Sequence, residues 1–372
     1  MKSEAHLLEH KRIVCPAMKS QTRDFLLYCK TMDFGKIEFS KKESAFYRRF
    51  NNEIVSLCRT LPQSVQTDAM LFLMQYSRLN FVDMDFFANY YPPAWSILYW
   101  LGYGSAVPAQ RLRKRDVTNA VTAHAMAMFL HSLDDHLIDK QVPVSPLLLL
   151  LRSQAWTIMH RACLNLAGGV PAGKSTVRRF TGEYYSSIQD ANGPESLDSY
   201  CSRFRSQMAI GMIAPVLLSR KMTGFSDFTR DIERACGSFG VAWRLLDDVK
   251  DIAEDIEKGS HSAIYLCLPE KLTSKWDNNT RTSRAAAKDS TKAILGHIME
   301  HRLIDRIRQR IWAELEAAAS LVEAHGVTGL AGEFRCLAYP LRNSANSREE
   351  DNGRVGLSGI PSTPLSSHLP AR

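Results

Sequence analysis

Three aspartates, Asp247, Asp251 and Asp255, stand four residues apart in the segment Val241-Ala-Trp-Arg-Leu-Leu-Asp247-Asp248-Val-Lys-Asp251-Ile-Ala-Glu-Asp255-Ile-Glu-Lys258-Gly259. On a helix this spacing places all three carboxylates on one face over two turns. Phe239, Val241, Trp243, Leu245, Leu246 and Val249 make the same helix apolar over much of its surface. Like charges at this spacing repel, and desolvation beside an apolar core costs more. A hard divalent cation with oxygen ligands offsets both, and Mg²⁺ typically takes one or two carboxylates plus substrate phosphates. Lys258 lies near the helix end that Gly259 marks, where an ammonium can meet a phosphate oxygen. The feature therefore demands a helical fold that shelters an acidic face.

A second acidic cluster precedes it. His131-Ser-Leu-Asp134-Asp135-His-Leu-Ile-Asp139 follows the apolar stretch Ala123 to Leu130. Asp135 and Asp139 share one helix face, with Asp134 beside them. Taken alone, this cluster also describes a solvated acidic helix end. The two clusters lie roughly 110 residues apart, which leaves room for several helices between them. Facing acidic helices in a bundle form a cage for divalent ions.

The rest of the chain reads the same way. Helical spacing of apolar residues predicts helices over Val117 to Lys140 (with Asp116 as N-cap), Ser145 to Leu166, Leu197 to Arg220, Phe228 to Lys258, about Arg281 to Arg302, and Asp305 to Ala324. Trp276 to Thr280 reads as a polar loop. Alternating strand patterns and internal repeats are lacking. The fold class is all-α: an antiparallel helical bundle with a central cavity, the type of core that holds metal and ligand sites. The expected organisation is a peripheral segment 1–40, a helical domain 41–342, and a tail 343–372 too poor in apolar residues to order itself.

Charge and cysteine use narrow the function classes. A net charge of +8 suits phosphorylated ligands, and the basic residues are scattered rather than striped, so nucleic acid is not an expected partner. The eight cysteines form no Cys-x-x-Cys pair, and their irregular spacing fits reduced thiols and a cytoplasmic setting. The longest apolar run, Ala125 to Leu130, is too short to span a bilayer, and no signal peptide is evident.

These motifs resemble those of the class I isoprenoid synthases, the all-α fold shared by trans-prenyl diphosphate synthases, squalene and phytoene synthases, and class I terpene cyclases. Asp134-Asp135 with Asp139 resembles the first Asp-rich motif, and Asp135-x-x-x-Asp139 its phytoene synthase form. Asp247-Asp248-x-x-Asp251 is similar to the second Asp-rich motif of prenyl diphosphate synthases. Lys250-Asp251-Ile-Ala-Glu254-Asp255, then Gly259 and Tyr265-Leu-Cys-Leu-Pro269, resembles the Arg-Asp-Val-x-Glu-Asp…Gly…Tyr-Leu-Pro stretch of squalene and phytoene synthases. Tyr200 to Gly211 resembles the stretch of terpene cyclases in which an arginine senses the diphosphate, which points to Arg203, with Arg205 as the substitute. Gly211 and Pro215 are candidates for a helix break there.

The resemblance implies metal ligation by Asp134, Asp135, Asp139, Asp247, Asp248, Asp251 and Asp255. It implies a cluster of Mg²⁺ ions, for which Mn²⁺ can substitute, and an isoprenoid diphosphate as the partner. Arg203, Arg205, Arg244 and Lys258 would hold the diphosphate, and Asp135, Asp139, Asp251 and Arg203 would be catalytic. The aromatics Phe81, Phe86, Phe87, Tyr90, Tyr91, Trp95, Tyr99, Trp100 and Trp243 divide between core and hydrocarbon pocket, and His131 and His136 are expected to be structural. Room for a homodimer remains.

The departures from the family pattern set the expected activity. Pro92 to Asp116 lacks the Gly-Lys-x-Arg element that holds isopentenyl diphosphate, although Arg111, Arg113, Lys114 and Arg115 form a basic cluster. Arg244 replaces the Gln that precedes the second motif, and the first motif has one extra residue in its spacing. The leading expectation is a terpene cyclase acting on farnesyl or geranylgeranyl diphosphate. A prenyltransferase is the alternative, and a non-catalytic isoprenoid-binding subunit the third.

Overall fold

The computed structural model describes residues 20–77, 85–104, 112–189, 193–224, 227–281 and 283–342. The tail 343–372, Phe81 and Arg111 lie outside them. The described residues form fifteen α-helices and no strand. They are α1 (Ser20–Thr31), α2 (Lys41–Arg59), α3 (Gln63–Tyr76), α4 (Pro93–Tyr99), α5 (Lys114–Ile138), α6 (Pro146–Ala167), α7 (Gly173–Gln189), α8 (Leu197–Gln207), α9 (Ala209–Thr223), α10 (Asp227–Lys250), α11 (Ile252–Lys258), α12 (Glu270–Asp277), α13 (Arg284–Glu300), α14 (Leu303–Glu323) and α15 (Thr328–Ala338). A five-residue π-helix, Trp100–Gly104, extends α4.

The centre of the bundle is α5, α9 and α10. Helix α5 packs on α6, α9 and α2, while α10 packs on α14, α9 and α8. A helix this enclosed must be apolar nearly all round. Val121, Ala123, Ala125, Met126, Ala127 and Leu130 of α5 are all buried, as are Val216, Leu217 and Leu218 of α9. No helix among the described residues is long and apolar enough to cross a membrane. The seven described cysteines are free thiols.

Four expectations about the elements need correction. Helix α5 begins at Lys114, with Arg113 as N-cap. Asp116 sits in the first turn, where it accepts from the Arg113 N–H (3.0 Å) and from Lys221 Nζ (2.7 Å). The stretch Leu197 to Arg220 is two helices, not one. It breaks at Met208, whose carbonyl accepts from Gly211 N–H at 3.0 Å. Here α10 comes so close that a Cβ on Gly240 would stand 2.9 Å from the Met208 side chain. The stretch Phe228 to Lys258 likewise divides at Asp251, which caps α11 with φ −97° and ψ 7°. Helix α11 then stops at Gly259 in the left-handed region, where glycine carries no Cβ penalty. Finally, Trp276 is no loop residue. It is fully buried in α12 and donates from Nε1 to the Ser260 carbonyl at 3.1 Å.

Candidate active site

Helix α5 delivers the first acidic cluster at its C-terminal end, and the α10–α11 bend delivers the second. The two face each other. The charge of Asp135 is close enough to raise the Asp247 carboxyl, and Lys258 is close enough to lower Asp139. Burial is the largest cause that pushes Asp247 up to about 6 and Asp255 up to about 7. Arg244 and the neighbouring carboxylates act next on Asp247. Asp139 and Asp251 are raised in the same direction, first by burial and then by Asp135 and Glu254 respectively. Four carboxylates thus sit where their charge is costly, and Asp135 faces them.

The other two predicted ligands do not join them. Asp134 is 4% exposed and turned into the bundle. It accepts from Arg152 Nε (2.5 Å) and Nη2 (2.9 Å) and from the Tyr184 hydroxyl (2.8 Å). Asp248 is 2% exposed. It accepts from the Tyr200 hydroxyl (2.7 Å), the Ala263 N–H (2.9 Å) and Arg244 Nε (3.1 Å). Neighbours in a helix point about 100° apart, so each Asp-Asp pair sends one carboxylate to the cleft and one into the core. The core member orients helix and arginine; its oxygens are already engaged.

The cations divide in the same way. Arg203 and Arg244 line a polar cleft together with Asp135, Asp139, Tyr200 and Phe204. Arg244 donates from Nε to the Tyr200 hydroxyl at 2.7 Å and lies over the Phe204 ring, 5.9 Å from its centroid. Its charge lowers Asp139, Asp247, Asp251 and Asp255, so it is the shared counter-ion of both acidic faces. Arg205 points elsewhere, to Glu314 at 2.9 Å, in a separate groove. Lys258 is paired with Glu254 one turn back.

Below the polar cleft lies a narrow apolar cavity of about 40 Å³. Tyr90, Trp243, Phe239 and Phe334 supply its aromatic wall. Gly211 and Pro215 line it, and a Cβ on Gly211 would meet nothing within 4 Å. His131 lines both the cleft and the cavity, so the two spaces adjoin at its ring. His136 is structural, bonded through Nδ1 to the Tyr76 hydroxyl at 2.6 Å. Of the other predicted aromatics, Trp95 and Phe87 are buried core. Sequence reasoning missed Tyr184, Arg152 and Phe334, which stand outside any local motif, and read Phe239 only as part of the apolar surface of its helix. Tyr200 was visible as part of the Tyr-and-Arg stretch.

The donor set suits Mg²⁺. The five carboxylates of the two facing clusters, of which Asp135 and Asp139 line the cleft, offer hard oxygen donors whose mutual repulsion a cation relieves. Among the described residues no three His, Cys, Asp or Glu side chains converge to hold an ion by themselves.

No protein-family model and no curated protein matches the sequence. Solved structures do match the fold. The geranylgeranyl pyrophosphate synthetase of Pyrococcus horikoshii aligns with 87% of this chain and 100% of its own, at 11% identity and a TM-score of 0.58. A polyprenyl synthetase from Streptomyces coelicolor aligns with 81% of this chain and 99% of its own, at 12% identity and 0.57. The geranylgeranyl pyrophosphate synthase of Corynebacterium glutamicum, complexed with isoprenyl diphosphate and magnesium, aligns with 80% of this chain and 98% of its own, at 14% identity and 0.52. The chain has the all-α fold of the class I isoprenoid synthases.

Proposed function

We propose that the protein is a Mg²⁺-dependent prenyltransferase: it ionises an allylic isoprenoid diphosphate and passes the prenyl cation to a carbon–carbon double bond. The observation that carries this reading is the join at His131 between a charged cleft and an aromatic-walled cavity. One end of such a substrate is a dianionic or trianionic head and the other a hydrocarbon tail. The cleft offers Arg203 and Arg244 for the head, and Arg donates paired hydrogen bonds to phosphate oxygens. Asp135, Asp139, Asp247, Asp251 and Asp255 would hold Mg²⁺, which when bound neutralises the leaving group and polarises its oxygens.

The protein's own groups supply the rest. Arg244, held by Tyr200 and Asp248, stays fixed where negative charge develops on the departing diphosphate. Tyr90, Trp243 and Phe239 present π-faces to the cation and exclude water from it.

Structural neighbours named as geranylgeranyl pyrophosphate and decaprenyl diphosphate synthases support an acceptor on a second molecule over the cyclisation expected from sequence. Cyclisation, with the acceptor double bond in the same chain, is the second reading. It is favoured by the described lining of the cleft, which contributes Arg203 and Arg244 but no lysine to anchor a second diphosphate. Incubation with Mg²⁺ and geranyl, farnesyl or geranylgeranyl diphosphate, with and without isopentenyl diphosphate, separates them. A longer diphosphate formed only with isopentenyl diphosphate supports the first reading, and a hydrocarbon from one substrate supports the second. Mg²⁺-dependent binding without diphosphate release would leave only a binding subunit.

A further inference from the structure

His261 stands on the loop between α11 and α12 and lines the polar cleft. Its Nε2 lies 2.8 Å from Asp277 Oδ1, at the end of α12. A carboxylate only accepts, so Nε2 carries the proton. Tyr265 holds the ring from one face. The two rings stack with centroids 4.0 Å apart and planes 9° apart, and the Tyr265 hydroxyl donates to the other oxygen of Asp277 at 3.1 Å. The loop is pinned on both sides of the histidine. Before it, the Ser260 carbonyl accepts from buried Trp276. After it, the Ala263 N–H donates to Asp248, the carboxylate that also holds Arg244. His261 is thereby set in a fixed relation to Arg244. Its Nδ1 has no hydrogen-bond partner among the described residues, and it is the polar atom of the ring left for the cleft. Both side chains of the His261–Asp277 pair are nearly half exposed, and such a pair adds little stability, so stability alone does not account for this cradle.

We propose that His261 is a ligand of the substrate's diphosphate: its ring binds as imidazolium, donating from Nε2 to Asp277 and from Nδ1 to a phosphate oxygen. This rests on the diphosphate reading of the cleft and holds whichever double bond accepts the prenyl cation. Imidazole is the side chain whose charge changes near neutral pH, and an anion on each side favours the charged ring. The proton comes from solvent as the diphosphate binds, and no covalent bond to carbon or phosphorus is made or broken. The other charged groups of the cleft wall are Asp135 and Asp139 on α5, Arg203 on α8 and Arg244 on α10, while Lys258 on α11 is paired with Glu254. The two carboxylates are proposed Mg²⁺ ligands, which leaves the arginines and the imidazolium to meet phosphate oxygens. A hydrogen bond between charged partners is about twice as strong as a neutral one. This one strengthens as negative charge develops on the leaving group. Asp277 does not reach the substrate. It is a positioning residue, which fixes the tautomer and the direction of Nδ1.

Calorimetric titration of the full chain with inorganic pyrophosphate in excess Mg²⁺, in two buffers of different protonation enthalpy, reads affinity and proton uptake together. Wild type is compared with His261→Gln, His261→Arg and Asp277→Asn, with melting curves as a control for folding. Carboxylates that give up protons to Mg²⁺ do so in all four proteins, so the difference isolates the imidazole. His261→Gln is expected to bind pyrophosphate about tenfold more weakly and to take up about one proton fewer. His261→Arg should recover the affinity without the uptake. Asp277→Asn should lower affinity and uptake together, which a merely structural carboxylate would not do. A folded His261→Gln with wild-type affinity and proton uptake overturns the proposal, although the diphosphate reading then stands. Wild type that binds no pyrophosphate overturns both. If His261→Gln fails to fold, ¹⁵N spectra of wild-type His261 decide. Two protonated ring nitrogens in the pyrophosphate complex support the ligand, and a ring that stays neutral there overturns it.

Discussion

Arg244 donates from Nε to the Tyr200 hydroxyl at 2.7 Å, and the same hydroxyl donates to Asp248 at 2.7 Å. A buried carboxylate thus fixes, through a phenol, an arginine that both acidic faces share. Tyr200→Phe removes both bonds and leaves Asp248 short of a donor. It should lower stability by about 1–3 kcal/mol in denaturant unfolding. It should also raise the KM for an allylic diphosphate more than a surface substitution of equal thermodynamic cost.

The neighbouring aspartates of the first cluster should behave oppositely. Asp134→Asn breaks a buried charged pair with Arg152 and is expected to destabilise the fold by about 3–5 kcal/mol, with loss of soluble protein as its main effect. Asp135→Asn should melt at or above the wild-type temperature, since it relieves repulsion with Asp247. Its Mg²⁺-dependent turnover should fall at least about 100-fold. Melting curves and rates on the two purified variants check the contrast.

The raised carboxyls make a signed pH prediction. Asp247 titrates at about 6 and Asp255 at about 7, both above the ordinary carboxylate range. A carboxyl raised in the folded state contributes stability below its unfolded value and loses it as pH rises through the folded value. Metal-free protein should therefore lose stability from these groups as pH climbs to about 7. A cation needs the carboxylates deprotonated, so the rise in melting temperature on adding Mg²⁺ and diphosphate should grow between pH 5.5 and 8. An Mg²⁺ effect that is largest at pH 5.5 would contradict this assignment.

Gly211 offers a probe of the cavity. Its added Cβ meets no atom within 4 Å, so Gly211→Ala should fold as wild type. It should shift the preference towards shorter substrates or change the product pattern. Competition between two allylic diphosphates of different length reads this directly.

The bundle was legible in the sequence because it rests on local periodicity. The α5, α6 and α14 patterns repeat their apolar residues at helical spacing, and Gly259 ends α11 where its backbone freedom is needed. The two carboxylate faces were legible for the same reason. Which member of each Asp-Asp pair enters the cleft was not, since that depends on Arg152, Tyr184 and Tyr200, which reach in from other helices. Of the two helix breaks, the one at Met208 was legible only through the Gly211 candidate three residues on, Pro215 lying inside α9, and the one at Asp251 was not legible. The first goes with the close approach of Gly240, a contact between distant parts of the chain. Trp276 looked exposed because its neighbours are polar, yet its ring packs edge-on against Tyr265 at 5.8 Å.

The central claim is that Asp135 on α5 and Asp251 at the α10–α11 bend act together through Mg²⁺ on one diphosphate. Calorimetric titration with a non-hydrolysable allylic diphosphate analogue, with and without Mg²⁺, tests it most directly. Wild type should bind the analogue at least about tenfold more tightly with Mg²⁺, a difference of about 1.4 kcal/mol. Asp135→Asn and Asp251→Asn should each lose that gain while keeping the wild-type melting profile. Mg²⁺-enhanced binding that survives in both folded variants would contradict the two-helix site.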